Sequence, residues 1–454
     1  MFPFRGVRYV AERVSDLAAV TSPPYDVIDP DDADRLERLD PHNVVRLILP
    51  RNDSEVPASR VPPAAPDPDP DPDRDDQQRS AQRSSTRYAH AARLLQEWIA
   101  QGVLARDSAP AMYVYEQRGS SIQRGLIASV ALSATDAGIV LPHEDVMPGP
   151  VADRRDLMRA TRANLEPILL VYDGGGDTAA VLDEVCAQPP DLECRSTDDS
   201  PGATGHSPGS TRAGLTQRLW VLTDPAMLQR ISQDLAPRQA LIADGHHRWA
   251  AYRQLQSEQQ AAGAGAGPWD AGLAMLVDSR TSPLHVKAIH RVVSDITLAA
   301  ALDAAHPTFQ VEAAGANLAE ALTALERTDA PHPFVITDGT DFGLVSRPHS
   351  DAVEAALPAG RPQAWKDLDA SVLHHLLLDR LWEVPDVVGR IDYLHDAEAA
   401  VRAARRVHGV AVLLRPVAVA EVLALAAAGE RMPRKSTSFG PKPRTGLVLR
   451  LLDD

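Results

Sequence analysis

Cysteine is almost missing from this chain: Cys186 and Cys194 are its two copies in 454 residues. They stand in a polar region with no CxxC pair and no set of histidines beside them, which excludes a disulfide framework and a cysteine-built zinc centre. Aromatic residues supply 4% of the chain. No run of about eighteen apolar residues occurs, the length a membrane-crossing helix needs. The opening residues Met1 to Gly6 carry no apolar signal core, so the sequence is read as cytoplasmic, with no membrane contact. An excess of basic charge is missing too. With 46 Lys and Arg against 62 Asp and Glu the net charge is −16, which argues against general nucleic-acid binding by bulk electrostatics.

What remains is the composition of a globular α/β protein, 44% apolar and 24% charged, long enough for two or three domains. Asn43 to Pro50 reads as a β-branched strand stopped by proline. Near residues 53–86 the chain turns Pro-, Asp- and Ser-rich, and a second stretch near 194–215 is rich in Gly, Ser, Asp and Thr. Both are read as disordered insertions. Tyr88, Ala91, Leu94, Leu95 and Trp98 repeat at helical spacing and end at Gly102. Residues 111–117 and 124–132 suggest an antiparallel hairpin. Strands are expected at 167–172, 220–222, 241–243, 274–278 and 446–452. Alanine- and leucine-rich helical spacing at 296–330 and 366–408 points to a more helical last third. The expected architecture is a mixed α/β core over residues 1–295, a helix-rich α/β region over 296–430, and a basic loop and strand over 431–454 that pack back on the core.

Four stretches could carry chemistry. In Ala243-Asp244-Gly245-His246-His247-Arg248 a short apolar strand meets a glycine that permits a sharp turn, and then the start of a helix. Such a start points N–H groups and a positive dipole end outward, so an anion there would meet backbone donors, imidazoles and a guanidinium together. The plainer reading is ordinary strand-turn-helix punctuation. Ser22-Pro23-Pro24-Tyr25-Asp26-Val27-Ile28 is a proline-stiffened loop presenting Tyr25 and Asp26. His143 beside Glu144, followed by Asp153 beside Arg154, suits general base work or oxygen ligation of Mg²⁺, with structural ion pairing as the alternative. Met432 to Arg444 gathers four basic residues and three hydroxyls, among them Lys435, Ser436, Thr437 and Lys442, in a chain that is otherwise acidic. Such a loop could cradle a polyphosphate, or it could be a solvated basic segment. His285, His290, Arg291 and the pair His374-His375 read as structural or exposed. No HExxH, GxxxxGK[ST] or GxGxxG pattern is present.

These blocks, together with Tyr113-Val114-Tyr115-Glu116-Gln117, resemble in kind and order a widespread bacterial family of unknown function, numbered one thousand and fifteen among such domains. The likeness spans nearly the whole chain. Residues 241–253 also resemble the nucleotide-binding turn of the ParB and sulfiredoxin-like superfamily, whose archaeal free serine kinases phosphorylate L-serine. That resemblance implies a ParB/sulfiredoxin-like nucleotide-binding element, with Gly245, His246, His247 and Arg248 on nucleotide phosphates and Asp244 near the metal or the reacting group. Glu144 and Glu116 are the candidates for the catalytic glutamate of those kinases.

The combined expectation is a kinase transferring a phosphoryl group from ATP or ADP, with Mg²⁺, to a small-molecule hydroxyl, free L-serine foremost. Glu144, His143 and Asp244 would do the chemistry, with Glu144 and Asp244 on the metal. Lys435, Ser436, Thr437 and Lys442 would join the nucleotide contacts. Tyr25, Asp26, Glu116, Asp153 and Arg154 would hold the acceptor. A non-catalytic nucleotide switch is the alternative, and a metal-dependent hydrolase using His143, His246 and His247 a third.

Overall fold

The computed structural model describes residues 1–51, 72–119, 121–134, 137–196, 214–282, 284–385 and 389–453, with side chains omitted for 72–85. The fold is mixed α and β, and its chain forms two compact units. The first comprises Met1–Val140, Val146–Pro283 and Lys442–Asp454; the second comprises Leu141–Asp145 and Leu284–Pro441. These limits differ from a division at 295/296 and 430/431. The stretch 284–295 belongs to the second unit, and the basic loop is divided between the two after Pro441.

The main sheet of the first unit runs in the order Ala240–Asp244, Ile168–Tyr172, Ala271–Asp278, Ile122–Ala131, Met112–Arg118, Leu215–Leu222 and Leu192–Ser196. Ile168–Tyr172 and Ala271–Asp278 pair parallel, whereas the other neighbours pair antiparallel. Ile168–Tyr172 and Ala240–Asp244 are buried along their whole length, which explains why they read as unbroken apolar runs rather than alternating ones. The His246–Ala261 helix covers this sheet, and Gly272 lets it come close: a β-carbon there would lie 2.3 Å from the Tyr252 ring. A smaller antiparallel sheet sets Leu449–Leu451 between Gly6–Tyr9 and Ala163–Asn164, so both ends of the chain meet within one unit.

Two local expectations change. Asn43 to Pro50 is not a strand but contains the Val45–Ile48 helical turn. Buried Asn43 decides it, accepting from the Val45 N–H at 2.9 Å while its amide donates to the Ala19 carbonyl at 2.7 Å. A local side-chain bond thus overrides β-branched propensity. The helix that holds Tyr88 and Trp98 begins at Pro72, so residues 72–86 are helical rather than part of a disordered insertion. Residues 53–71 of that proposed insertion lie outside the described residues, as do 197–213 of the second one.

The second unit carries a six-stranded antiparallel sheet in the order Gln310–Ala313, Phe342–Ser346, Phe334–Thr337, Val410–Leu413, His290–Val293 and Ile391–Leu394. Its helices Leu298–Ala305, Leu318–Arg327 and Ala397–Arg406 start on side-chain caps from Thr297, Asn317 and Asp396. Leu373–Leu381 is wound as a π-helix, from which His374 contacts the fully buried Arg291 at 3.1 Å. Among the described residues no helix is long and apolar enough to cross a membrane.

Candidate functional site

Strand Ala240–Asp244 ends on a carboxylate, and Gly245 then takes φ 96°, a left-handed conformation that suits glycine, before the helix starts at His246. A β-carbon at Gly245 would lie 2.7 Å from Ile168 Cγ2 and 3.1 Å from Arg248 Nε, so the turn admits no side chain. No side chain caps the start of this helix, in contrast to Asp29 and Asp224 at the starts of Pro30–Leu39 and Pro225–Leu235.

Two proline-stiffened loops lie together beside it. Ser22 and Thr445 exchange backbone hydrogen bonds of 3.1 and 2.8 Å. Glu166 then ties both loops, accepting from the Tyr25 N–H at 3.0 Å and the Thr445 hydroxyl at 3.3 Å. This brings Lys442 between two aspartates: its ammonium lies 2.5 Å from Asp26 Oδ2 and 2.5 Å from Asp244 Oδ1. The other oxygen of Asp244 pairs with Arg248, whose Nη1 also donates to the Pro167 carbonyl at 2.8 Å. Arg248 Nε is buried without a hydrogen-bond partner. Arg154 lies 4.2 Å over the Tyr25 ring, donates to the Ile48 carbonyl at 2.7 Å and comes within 3.9 Å of Glu166.

The first unit therefore holds a largely buried ionic cluster of four carboxylates, Asp26, Asp153, Glu166 and Asp244, and three cations, Arg154, Arg248 and Lys442. Burial works against the charge of Lys442, but Asp244 and Asp26 outweigh it and raise its pKa. Arg248 behaves alike, with Glu166 first among the acids that hold its proton. Burial raises Glu166, opposed by Arg248 and Arg154. Removing one member of such a cluster leaves an uncompensated buried charge, at a cost of about 3–5 kcal/mol.

Of the residues singled out in the sequence, Tyr25, Asp26, Arg154, Asp244, Gly245, Arg248 and Lys442 meet here. His247 accepts from the Met147 N–H at 3.1 Å and so joins two helix starts, while His246 is buried. Asp153 joins the cluster through Arg154, which donates to its Oδ2 from Nη2 at 2.5 Å and Nε at 2.8 Å, while its Oδ1 accepts from Arg87 and Tyr88 at 2.7 and 2.5 Å and clamps one helix to another. Burial raises its pKa, but Arg154 and these partners outweigh it and hold it below the usual carboxylate range. Glu116 is not with the cluster. Three strands separate it from Asp244, a span of roughly 19 Å at ~4.8 Å per strand. It is buried among Arg124, Arg118 and Arg218 at 2.9, 3.1 and 3.6 Å. Sequence reading missed Glu166, although a lone acid between Leu165 and the Pro167 that opens an apolar strand was a signal that could have found it.

His143, Glu144, Lys435, Ser436 and Thr437 belong to the second unit and form their own network. The Glu144 carboxylate accepts from the N–H groups of Lys435, Ser436 and Thr437 at 3.2, 3.1 and 2.9 Å, and from the Thr437 hydroxyl at 2.7 Å. Fully buried His143 meets the Thr437 hydroxyl at 2.7 Å and packs edge-on against Phe439. Here both residues anchor a loop.

No group of three or more His, Cys, Asp or Glu that could hold a metal occurs among the described residues. The two carboxylates best placed for a divalent cation, Asp26 and Asp244, already share the ammonium of Lys442. This donor set does not fit a resident Mg²⁺.

Among solved structures the chain is similar to a mutant free serine kinase in complex with ADP, at 13% identity and TM-score 0.34, covering 70% of this chain and 87% of that one. It is also similar to SbnI with a C-terminal truncation from Staphylococcus aureus, at 12% identity and TM-score 0.35, covering 72% and 90%. A conserved hypothetical protein from Pyrococcus furiosus gives 13% identity and TM-score 0.32, covering 70% and 90%. No curated protein matches the sequence. A family match does hold over residues 1–65 and 68–371: the chain belongs to the family described as Protein of unknown function (DUF1015).

Proposed function

We propose that this protein is a nucleotide-dependent kinase that phosphorylates the hydroxyl of a small molecule, with ATP or ADP as donor. The observation that carries this reading is the glycine-opened helix start at Gly245 with Lys442, Asp244 and Arg248 gathered against it. Phosphoryl transfer asks mainly for positioning and for charge at the transferring group. The helix dipole and Lys442 supply that charge. Asp244 accepts the proton of the acceptor hydroxyl as its oxygen bonds to phosphorus, while the bond to the departing nucleotide breaks and its electron pair leaves with that nucleotide. Asp26 retains Lys442 at the site, and Glu166 with Arg154 fixes the Tyr25 loop that would border the acceptor. Mg²⁺, when bound, would neutralise the nucleotide's phosphates and arrive with it, since the side chains here offer no cage of their own. Free L-serine is the acceptor implied by the resemblance of residues 241–253 to the free serine kinases.

The test is ³¹P NMR of the purified protein with Mg²⁺, ATP or ADP, and L-serine. A phosphomonoester signal is expected. Lys442→Met, which keeps the length of the stem but not its charge, should lower kcat by about a hundredfold while far-UV circular dichroism stays unchanged. Absence of any phosphorylated product across L-serine and other small alcohols would sink the kinase reading.

One observation favours a second reading, a non-catalytic nucleotide switch. Every cation of the cluster already faces a carboxylate, so an incoming phosphate must displace one, and binding would rearrange the site. Nucleotide binding seen by calorimetry without product in the same sample would favour it.

A further inference from the structure

The turn at residues 433–437 is a backbone nest. Lys435 adopts φ 55°, a left-handed conformation that side chains disfavour, and it turns three successive N–H groups toward one point. Glu144 fills that point. Its Oε1 alone takes the N–H of Ser436, the N–H of Thr437 and the Thr437 hydroxyl, while its Oε2 takes the N–H of Lys435. Because a carboxylate only accepts, the Thr437 proton points to Glu144, and His143 Nε2 at 2.7 Å must then donate to the Thr437 oxygen. The result is a chain of donors that ends on one anion.

Basic residues gather around the nest. Lysine is scarce in this protein, at positions 287, 366, 435 and 442, yet one stands in the nest itself. Arg431 and Arg434 flank it, and Arg431 lies 3.3 Å from Asp145. Backbone donors, a hydroxyl and local positive charge are the chemistry that binds a tetrahedral oxyanion.

We propose that residues 435–437 form a binding site for a phosphate dianion, inorganic or as a monoester, and that Glu144 is its internal stand-in, displaced when the ligand arrives. All these groups lie in the second unit, so the proposal does not depend on the kinase reading. A protein that transfers no phosphoryl group could still bind phosphate here.

The experiment is calorimetric titration of the full chain with inorganic phosphate, repeated with methyl phosphate to separate free phosphate from an esterified source. Glu144→Gln removes the competing charge but keeps an acceptor for the loop, and should tighten phosphate binding by about tenfold over the wild type. Adding Thr437→Val to that variant should reverse the gain. A folded Glu144→Gln protein that binds phosphate no more tightly than the wild type overturns the proposal, as does binding indifferent to Thr437→Val, which would locate the anion elsewhere. Should Glu144→Gln fail to fold, hydrogen exchange of the wild type decides. Phosphate, with ionic strength held constant by chloride, should change the exchange of the amides at 435–437, and unchanged rates refute the site.

Discussion

At the scale of single residues, buried charge is the main theme, and its sign follows from neighbours rather than residue type. His290 is the clearest titrating case. Burial, then the adjacent Arg291, pushes its pKa down to about 4, and its Nδ1 accepts from the Leu414 N–H at 3.3 Å. In the unfolded chain an imidazole titrates near ~6.5, so between that pH and about 4 the unfolded state binds a proton that the native state refuses. The stabilisation is therefore complete above pH ~6.5 and is lost as pH falls toward 4, by about 3 kcal/mol in all. His290→Asn keeps an acceptor for Leu414 without the titration. The stability of the wild type over this variant, from urea melts, should shrink across that window, and a constant difference would refute the account. Sequence reading left His290 as structural or exposed, and it is buried. It assigned chemistry to His143 and Glu144 because imidazole beside carboxylate is what general bases use, and nothing in the string revealed that residues almost three hundred positions later anchor both.

At the scale of elements, the Asp244-to-Arg248 turn shows how much local pattern can convey. An apolar strand, a glycine and a helix start were legible because each has its own signature: complete burial, positive φ and helical spacing. Gly245→Ala tests the turn, since it must hold a β-carbon at φ 96° within 2.7 Å of Ile168. It should cost about 1–3 kcal/mol in chemical denaturation. Gly263→Ala is the control: at φ 79° with nothing within 4 Å, it carries only the conformational penalty, about 1 kcal/mol. Equal losses in the two variants would mean that the Ile168 contact does not constrain the turn. The segment 43–50 misled for the opposite reason. Its β-branched residues favour a strand, and one buried asparagine outweighs them.

At the scale of the whole molecule, chain ends hold the first unit together. Leu449–Leu451 is an interior strand of the small sheet, and Arg450 donates to Asn164 Oδ1 at 3.0 Å, to the Ala271 carbonyl at 2.9 Å and to the Pro268 carbonyl at 2.7 Å. Deleting residues 446–454 should remove the cooperative thermal transition of the first unit while that of the second persists, as read by calorimetry. Two intact transitions in the truncated chain would show that the strand is dispensable. The alanine-rich helical spacing of residues 296–330 and 366–408 was legible, but the six-stranded sheet among those helices was not, because its strands are four or five residues long and carry too few positions to show a period.

By itself the amino-acid order determined the class of fold, the strand-turn-helix at Gly245 and the family blocks, since propensity, periodicity and turn chemistry act over a few neighbouring positions. The tertiary structure alone decided which charges meet. It set Lys442 between Asp26 and Asp244, gave Glu166 to both proline loops, closed Glu144 into the 435–437 nest and left three strands between Glu116 and Asp244. Coulombic attraction and hydrogen bonding depend on distance in space, and only folding determines that distance.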